Sequence, residues 1–361
     1  MEQDSVDSGA QIDPLSNPFA SLDSLSPDLS SLNDLAMRGA WRSILEKVSR
    51  SRSLDLLKQP HHHLTYLSFN VLALSKLRRF ADANSELESL QDLDGSDYRY
   101  ETYPKVYPGR SGSMVPFSLR WIHCIIPIKL GRRNEGLDRL YKLLDLVREK
   151  LEERKSNSRE ESLREWKRRE LLVINTIIGD HLFHKEFSVC LDLIRNLLSG
   201  DCLGLDAFLL SELGYIQLQI GDLDGAKGSF SQVEGIADKE KSIKLMNLVS
   251  RNKALIYLVG KDYVSAVREY EECMERDHTD AVAINNKAIC LMYLRDLSDS
   301  IKVLENSLER VPTVTLNETL VVNLCSMYEL AYVNHAEIKK TLSNWIARVA
   351  PDDFDSSCTR I

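Results

Sequence analysis

Between Asn247 and Thr313 the chain writes one pattern twice at a spacing of 34 residues. In that register Ala254 pairs with Ala288, Tyr257 with Leu291, Ala266 with Ser300, Tyr270 with Leu304 and His278 with Pro312. Each copy predicts a first apolar helix, Leu248 to Val259 or Val282 to Leu294. A polar turn closes it, Gly260-Lys261-Asp262 or Arg295-Asp296-Leu297-Ser298, and a second helix follows. Small residues at Ala254, Ala266, Ala288 and Ser300 suit close helix crossings, with Tyr257 and Tyr270 expected to fill the space beside them. Such a hairpin cannot bury its apolar face alone. It must stack on neighbours, so a chain that carries two units is expected to carry more.

This period is that of the tetratricopeptide repeat. It predicts an all-α fold, a right-handed superhelix (α-solenoid) of about six tetratricopeptide-like hairpins with a capping helix pair. The hairpins fall at about 64–97, 117–150, 171–204, 207–240, 247–280 and 281–314 within a solenoid spanning 64–350. Leu213-Gly214, Gly221, Ala226 and Phe230 occupy the most regular repeat positions. Insertions are expected at 98–116 and 151–170, the second a charged run read as a solvated helical extension or loose insert. Leu316 to Tyr332 and Ala336 to Val349 form the expected cap, followed by a polar tail at 351–361. Pro127, inside an apolar helix, is expected to kink it.

Composition narrows the function. The formal charge is −8, and Glu2, Asp4, Asp7, Asp13, Asp23, Asp28 and Asp34 all precede Arg38, the first basic residue. The remainder is nearly balanced and offers no basic footprint for nucleic acid and no polybasic patch for membranes. Seven cysteines lie without a C-x-x-C pair and read as reduced packing residues of a cytosolic protein. No basic-led apolar leader and no membrane-length apolar run is found. Residues 1–31 read as a disordered acidic Ser/Pro-rich tail. It contains Asn17-Pro18-Phe19, a tripeptide that resembles ligands of EH domains. Residues 32–59 predict one docking helix ended by Pro60, and His61-His62-His63 then reads as an exposed connector.

Two groups are candidate partner-binding residues. The stretch Tyr98 to Arg120 cannot be helical through Pro104, Pro108, Gly109 and Gly112, yet it holds Tyr98, Tyr100, Tyr103 and Tyr107. Two readings stay open: the loop packs along its own solenoid, or those tyrosines and Arg110 form a partner surface. Asn252 and Asn286 share one repeat position on first helices, which line the concave face of such arrays. They could bond an extended peptide backbone or an inter-repeat neighbour. His181 and His184, with Asp180 and Cys190 nearby, lack a second ligand pair at metal spacing and read as helix-turn residues.

No nucleophile motif, paired-carboxylate arrangement, P-loop or dinucleotide fingerprint is present, so a non-enzyme without cofactor or metal is expected. A chaperone-tail clamp would need an Asn and cations where Leu255, Leu316 and Leu320 stand. That leaves a co-chaperone, or another peptide-binding adaptor, as the alternative reading.

Tyr103-Pro104-Lys-Val-Tyr-Pro-Gly-Arg-Ser-Gly-Ser-Met-Val-Pro-Phe-Ser-Leu-Arg120 and Leu137-Asp138-Arg139-Leu140 closely resemble the subunit-twelve family of the trafficking protein particle (TRAPP) complex. The resemblance continues through Leu218 to Asp222, Phe230 to Glu234, Asp280 to Ala288 and Met327 to Leu330. It implies a non-catalytic scaffold of a vesicle-tethering assembly that promotes nucleotide exchange on a Rab-family GTPase in ER-to-Golgi traffic and autophagy. It also implies other TRAPP subunits as partners, the GTPase only indirectly, with no nucleic acid and no membrane insertion. The location implied is cytoplasmic, peripheral to Golgi, ER–Golgi, trans-Golgi or early endosomal membranes.

Overall fold

In the computed structural model, residues 29–90, 92–155, 160–199 and 206–361 are described. They form helix hairpins in succession. The pairs are α1 (Leu29–Met37) with α2 (Trp41–Ser53), α3 (Pro60–Lys76) with α4 (Phe80–Glu88), and α5 (Phe117–Lys129) with α6 (Arg133–Lys155). Then come α7 (Glu160–Phe183) with α8 (Phe187–Ser199), α9 (Ala207–Gln219) with α10 (Leu223–Glu240), and α11 (Ile243–Val259) with α12 (Tyr263–Arg276). The array ends with α13 (Ala281–Tyr293) and α14 (Leu297–Arg310), the single turn α15 (Pro312–Thr315), and α16 (Glu318–Ala331) with α17 (His335–Val349). Among the described residues the only β pairing is an isolated bridge between Arg99 and Ser113. Helices pack on their neighbours in chain order, and the core is a row of separate apolar clusters instead of one centre. That is the architecture of stacked hairpins, each completing the burial of the last.

One turn recurs throughout. The first helix of each hairpin from α1 to α13 ends on a residue at positive φ: Gly39, Arg78, Gly131, Lys185, Gly221, Lys261 and Arg295. At each, this residue's N–H bonds back three positions, and the next residue's N–H bonds back five, as in Lys261 to Leu258 and Asp262 to Tyr257. This is the Schellman closure, which satisfies the last carbonyls of the helix. Glycine adopts it without steric cost, whereas the lysines and arginines adopt it against the usual preference of a side-chain-bearing residue, with both closing hydrogen bonds made. Asp222, Asp262 and Asp296 then cap the second helices, accepting from Gly225, Ser265 and Asp299 N–H groups at 2.9, 3.1 and 3.2 Å.

Small residues decide how closely helices cross. Ala254, Ala266, Ala288 and Ser300 are all fully buried. A Cβ on Gly214 would stand 2.3 Å from the Phe230 ring, and one on Gly136 would stand 2.3 Å from Ile128 and 2.9 Å from the Cys124 carbonyl. Tyr270 is wholly enclosed, but Tyr257 is exposed instead of filling the crossing. Pro127 lies inside α5, which continues to Lys129. Lacking an N–H, it leaves the His123 carbonyl without its helical donor. Arg139 from α6 supplies that bond through Nη1 at 3.0 Å.

Two sequence expectations are corrected, and for residues 151–170 the helical-extension reading is the one realised. Residues 32–59 form most of a hairpin, α1 and α2, because Gly39 breaks the helix with the same positive-φ closure as the other repeats. Pro60 opens α3 instead of ending a helix, since the first turn leaves its N–H groups unbonded and Pro has none to lose. The three adjacent histidines therefore belong to the first turn of α3. Most of residues 151–170 is helical, lengthening α6 and α7 to 23 and 24 residues. Leu151 is buried there, Arg148 meets Glu170 at 3.1 Å, and Arg169 stacks over Trp166 and Phe117.

The segment 351–361 is not a free tail. Cys358 and Thr359 are buried against α16 and α17, and Lys339 donates to the Arg360 carbonyl at 2.8 Å. Its other half reaches the opposite end of the array. The Asp352 N–H donates to the Gly39 carbonyl at 3.1 Å, and Asp352 Oδ2 accepts from the Arg42 N–H at 2.9 Å. Asp353 pairs with Lys76 at 3.0 Å, and Asp355 pairs with Arg78. The first hairpins and the last are thus joined by a strap, and the array curves back on itself.

Candidate interaction surfaces

The tyrosine loop is drawn into a closed shape by its own backbone. Tyr100 N–H donates to the Gly112 carbonyl at 3.0 Å and Met114 N–H to the Tyr98 carbonyl at 2.8 Å. The Glu101 carboxylate accepts the Gly112 N–H at 2.9 Å, and the pull of that donor and of Arg99 lowers its pKa. Arg120 ties the loop's flanks together, donating to the Leu93 carbonyl at 3.0 Å and pairing with Asp94 at 2.8 Å.

Tyr107 is 5% exposed and lies in the apolar cluster of α3, α4 and α5, with Met114 and Val115. Its hydroxyl is 2.6 Å from His61 Nδ1 and accepts the His61 N–H at 3.3 Å. Burial, with neighbouring His62 and Arg110, lowers the His61 pKa, so the neutral ring's Nδ1 can accept from Tyr107. Tyr98, Tyr100 and Tyr103 pack against the same cluster, Tyr100 edge-on to Tyr107 with centroids 5.0 Å apart. Arg110 lies 5.9 Å over the Tyr100 ring. Outward, the loop presents Val106, 46% exposed, with Lys105 and Arg110 beside it. Between the loop and α2 to α4 is a cavity of about 570 Å³ lined by Arg52, His63, Leu67, Tyr98, Tyr103 and Met114.

The two repeat-position asparagines are engaged inside the chain. Asn252 is 3% exposed and accepts from the Ser211 hydroxyl at 2.7 Å, while its buried Nδ2 has no protein partner. Asn286 donates to the Tyr270 hydroxyl at 3.3 Å and accepts from Asn285, which in turn accepts from Asn323 at 2.7 Å. These bonds run across four successive hairpins, from α9 to α16, and register them.

His181 is buried at the junction of two hairpins. Its Nδ1 is 2.5 Å from Glu186 and its Nε2 is 3.2 Å from the Tyr141 hydroxyl. Arg133 joins Asp180 at 2.7 Å and Glu186 at 2.6 Å, and together with His181 it holds the Glu186 carboxyl at a pKa of about 2. His184 Nδ1 lies 2.8 Å from the Asp180 carbonyl. Sequence reading paired the histidines with Asp180 but passed over Arg133 and Tyr141, which sit on another hairpin. Arg139, within Leu137-Asp138-Arg139-Leu140, has its role signalled only by Pro127, one helix earlier, whose missing N–H it replaces. Among the described residues no group of His, Cys, Asp and Glu could hold a metal ion. Asn17, Pro18 and Phe19 lie outside the described residues.

No protein-family model matches the chain. Over 301 residues, 80% of its length, it is 34% identical to trafficking protein particle complex subunit 12 of Mus musculus and, equally, to that of Homo sapiens. The match covers 38% of the mouse protein and 41% of the human one, so the chain spans about two fifths of these relatives' length. Among solved structures, a tetratricopeptide repeat protein from Parabacteroides merdae aligns over 92% of this chain and 94% of its own, with 10% identity and a TM-score of 0.35. Sequence identity through four-fifths of its length, spanning the tyrosine loop and the hairpins around it, makes this chain a relative of trafficking protein particle complex subunit 12.

Proposed function

We propose that the chain is a non-catalytic scaffold subunit of the TRAPP vesicle-tethering complex, acting in ER-to-Golgi traffic and autophagy through other subunits. The observation that carries this is the 34% identity over 80% of the chain. On this reading nucleotide exchange on a Rab-family GTPase belongs to other subunits, and this one contributes area. The protein works from the cytoplasmic side, peripheral to Golgi, ER–Golgi and trans-Golgi or early endosomal membranes. No described helix is long and apolar enough to cross a membrane.

The surface offered to another subunit is the outer side of the tyrosine loop. Tyr98, Tyr100, Tyr103 and Tyr107 brace the loop from within, while Val106 and Arg110 form the outward contact. Tagged protein should recover several sequence-unrelated TRAPP subunits. Val106→Asp with Arg110→Glu should reduce that recovery and leave helical circular dichroism unchanged. Recovery of chaperones alone would favour the co-chaperone alternative, and undiminished recovery by the variant would place the contact elsewhere. The peptide-binding alternative draws less support, because Asn252 and Asn286 already bond within the array.

A further inference from the structure

We propose that the strap is exchangeable: its Pro351-Asp352-Asp353 stretch, flanked by Asp355, fills a basic dock on the first two hairpins, which an acidic segment of a partner protein can occupy in its place, opening the ring.

The two halves of the strap are held by different physics. Toward α16 and α17, Cys358 is 7% exposed and Thr359 is 3% exposed, Phe354 packs on the cluster containing Val321, Cys325 and Ile346, and the 4%-exposed Lys339 binds the Arg360 carbonyl. That half cannot leave without uncovering apolar area. Toward α1 to α3 the contacts are ionic and wet. The side chains of Arg42, Lys76 and Arg78 are 78%, 46% and 55% exposed, against 23%, 23% and 29% for Asp352, Asp353 and Asp355. Exposed pairs of this kind are individually weak and are screened by salt. They persist because the anchored half keeps three carboxylates near three cations, an effect of local concentration and not of intrinsic affinity. An outside ligand of the same chemistry displaces these carboxylates once that ligand's concentration or affinity exceeds the local concentration set by the tether.

The dock itself has shape as well as charge. Pro351 sits where a Cβ on Gly39 would lie, 2.6 Å from the Pro351 Cβ, so only glycine admits it. The Gly39 carbonyl and the Arg42 N–H take and give backbone-directed bonds to Asp352. Lys76 lies 5.5 Å over the Trp41 ring, which orients its ammonium toward Asp353. A ligand for this site is therefore an extended segment with Pro followed by closely spaced carboxylates. Asp355 also receives help on the strap's own side, its N–H donating to Glu318 at 3.3 Å. Release thus begins at Asp352 and Asp353.

The full chain and its Asp352→Asn/Asp353→Asn/Asp355→Asn variant are each titrated with a fluorescent peptide carrying residues 350–355. The variant vacates the dock, so the peptide should bind it about tenfold more tightly than the parent chain. Binding should weaken steeply with salt, and it should vanish when Lys76→Glu and Arg78→Glu are added. Equal binding to parent and variant, or binding indifferent to the charge reversals, overturns the proposal. Should the variant not fold, amide exchange on the unaltered chain decides. Excess peptide should expose the Asp352 amide of the displaced strap while the Cys358 amide stays protected. If the Asp352 amide opens only together with α16 and α17, the strap is not exchangeable. Displacement by a soluble inositol phosphate but not by the peptide would also refute it, pointing to a lipid headgroup instead.

Discussion

Pro127 and Arg139 should behave as a coupled pair, because one creates the vacancy that the other fills. In α5 the proline removes the N–H that would meet the His123 carbonyl, and Arg139 Nη1 meets it at 3.0 Å instead. The same guanidinium reaches His123 Nε2 at 3.0 Å and Glu135 at 2.5 Å. Arg139→Met keeps most of the aliphatic volume but leaves a part-buried carbonyl unbonded, which costs about 1–3 kcal/mol. Loss of the i,i+4 pair with Glu135 adds about 0.3–0.5 kcal/mol. We expect about 2 kcal/mol in total, near the middle of those ranges. In a Pro127→Ala background the helix N–H returns and bonds His123 itself, so Arg139→Met should then cost about 1 kcal/mol or less. The difference is the coupling that a double-mutant cycle isolates. Because stacked hairpins can open regionally, amide exchange within α5 is the appropriate readout, with denaturant unfolding as a check. A cost of Arg139→Met that is the same in both backgrounds, within about 0.3 kcal/mol, would refute the reasoning.

Other consequences can be checked separately. Gly214→Ala drives a methyl into the Phe230 ring and should destabilise the protein by about 1–3 kcal/mol, with Phe230→Leu recovering part of the loss in thermal melts. Tyr107→Phe deletes the hydroxyl bonded to His61 and should cost about 1 kcal/mol by denaturant titration, whereas Val106→Ala on the outer side should cost almost nothing. His123 has its pKa lowered to about 4, chiefly by burial and then by Arg139. A depressed histidine pKa means that the folded state binds fewer protons, so its contribution is complete above the unfolded value of about 6.5 and is lost as pH falls toward 4. Stability measured from pH 7.5 to 4 should decline through that window, and His123→Gln should flatten the decline. Asp355, held near a pKa of about 2 by Ser357 and Arg78, contributes above its unfolded value and loses that contribution only in stronger acid. Titrating the parent against Asp355→Asn should separate the two groups.

Much of the hairpin array was legible because its signals are local. The 34-residue spacing, the small residues at Ala254, Ala266, Ala288 and Ser300, and the breakers at Gly221 and Gly260 lie within reach of one another along the chain, where propensity and periodicity act. Pro60 was not legible in this way, since a proline both ends and begins helices and only the hydrogen bonding around it tells which. Nor was Gly39, where one short helix pair looked like one helix. For the tyrosine loop, sequence left two readings open. Tertiary packing put the Tyr107 ring inside and left Val106 and Arg110 facing out, a division that alternation in an irregular loop cannot encode.

What the sequence determined alone, then, is the repeating unit: its length, its small-residue crossings and its polar turns at Gly260-Lys261-Asp262 and Arg295-Asp296-Leu297-Ser298. What only the tertiary structure decided is where the array leads. Lysine and arginine take positive φ at Lys185, Lys261 and Arg295, where the closing backbone hydrogen bonds of each turn are made, and no side-chain preference announces this. Asp352 reaches Arg42, 310 positions away, because many small rotations between successive hairpins accumulate until the two ends face each other. No single residue carries that curvature. It is a sum over interfaces, and it has to be seen folded.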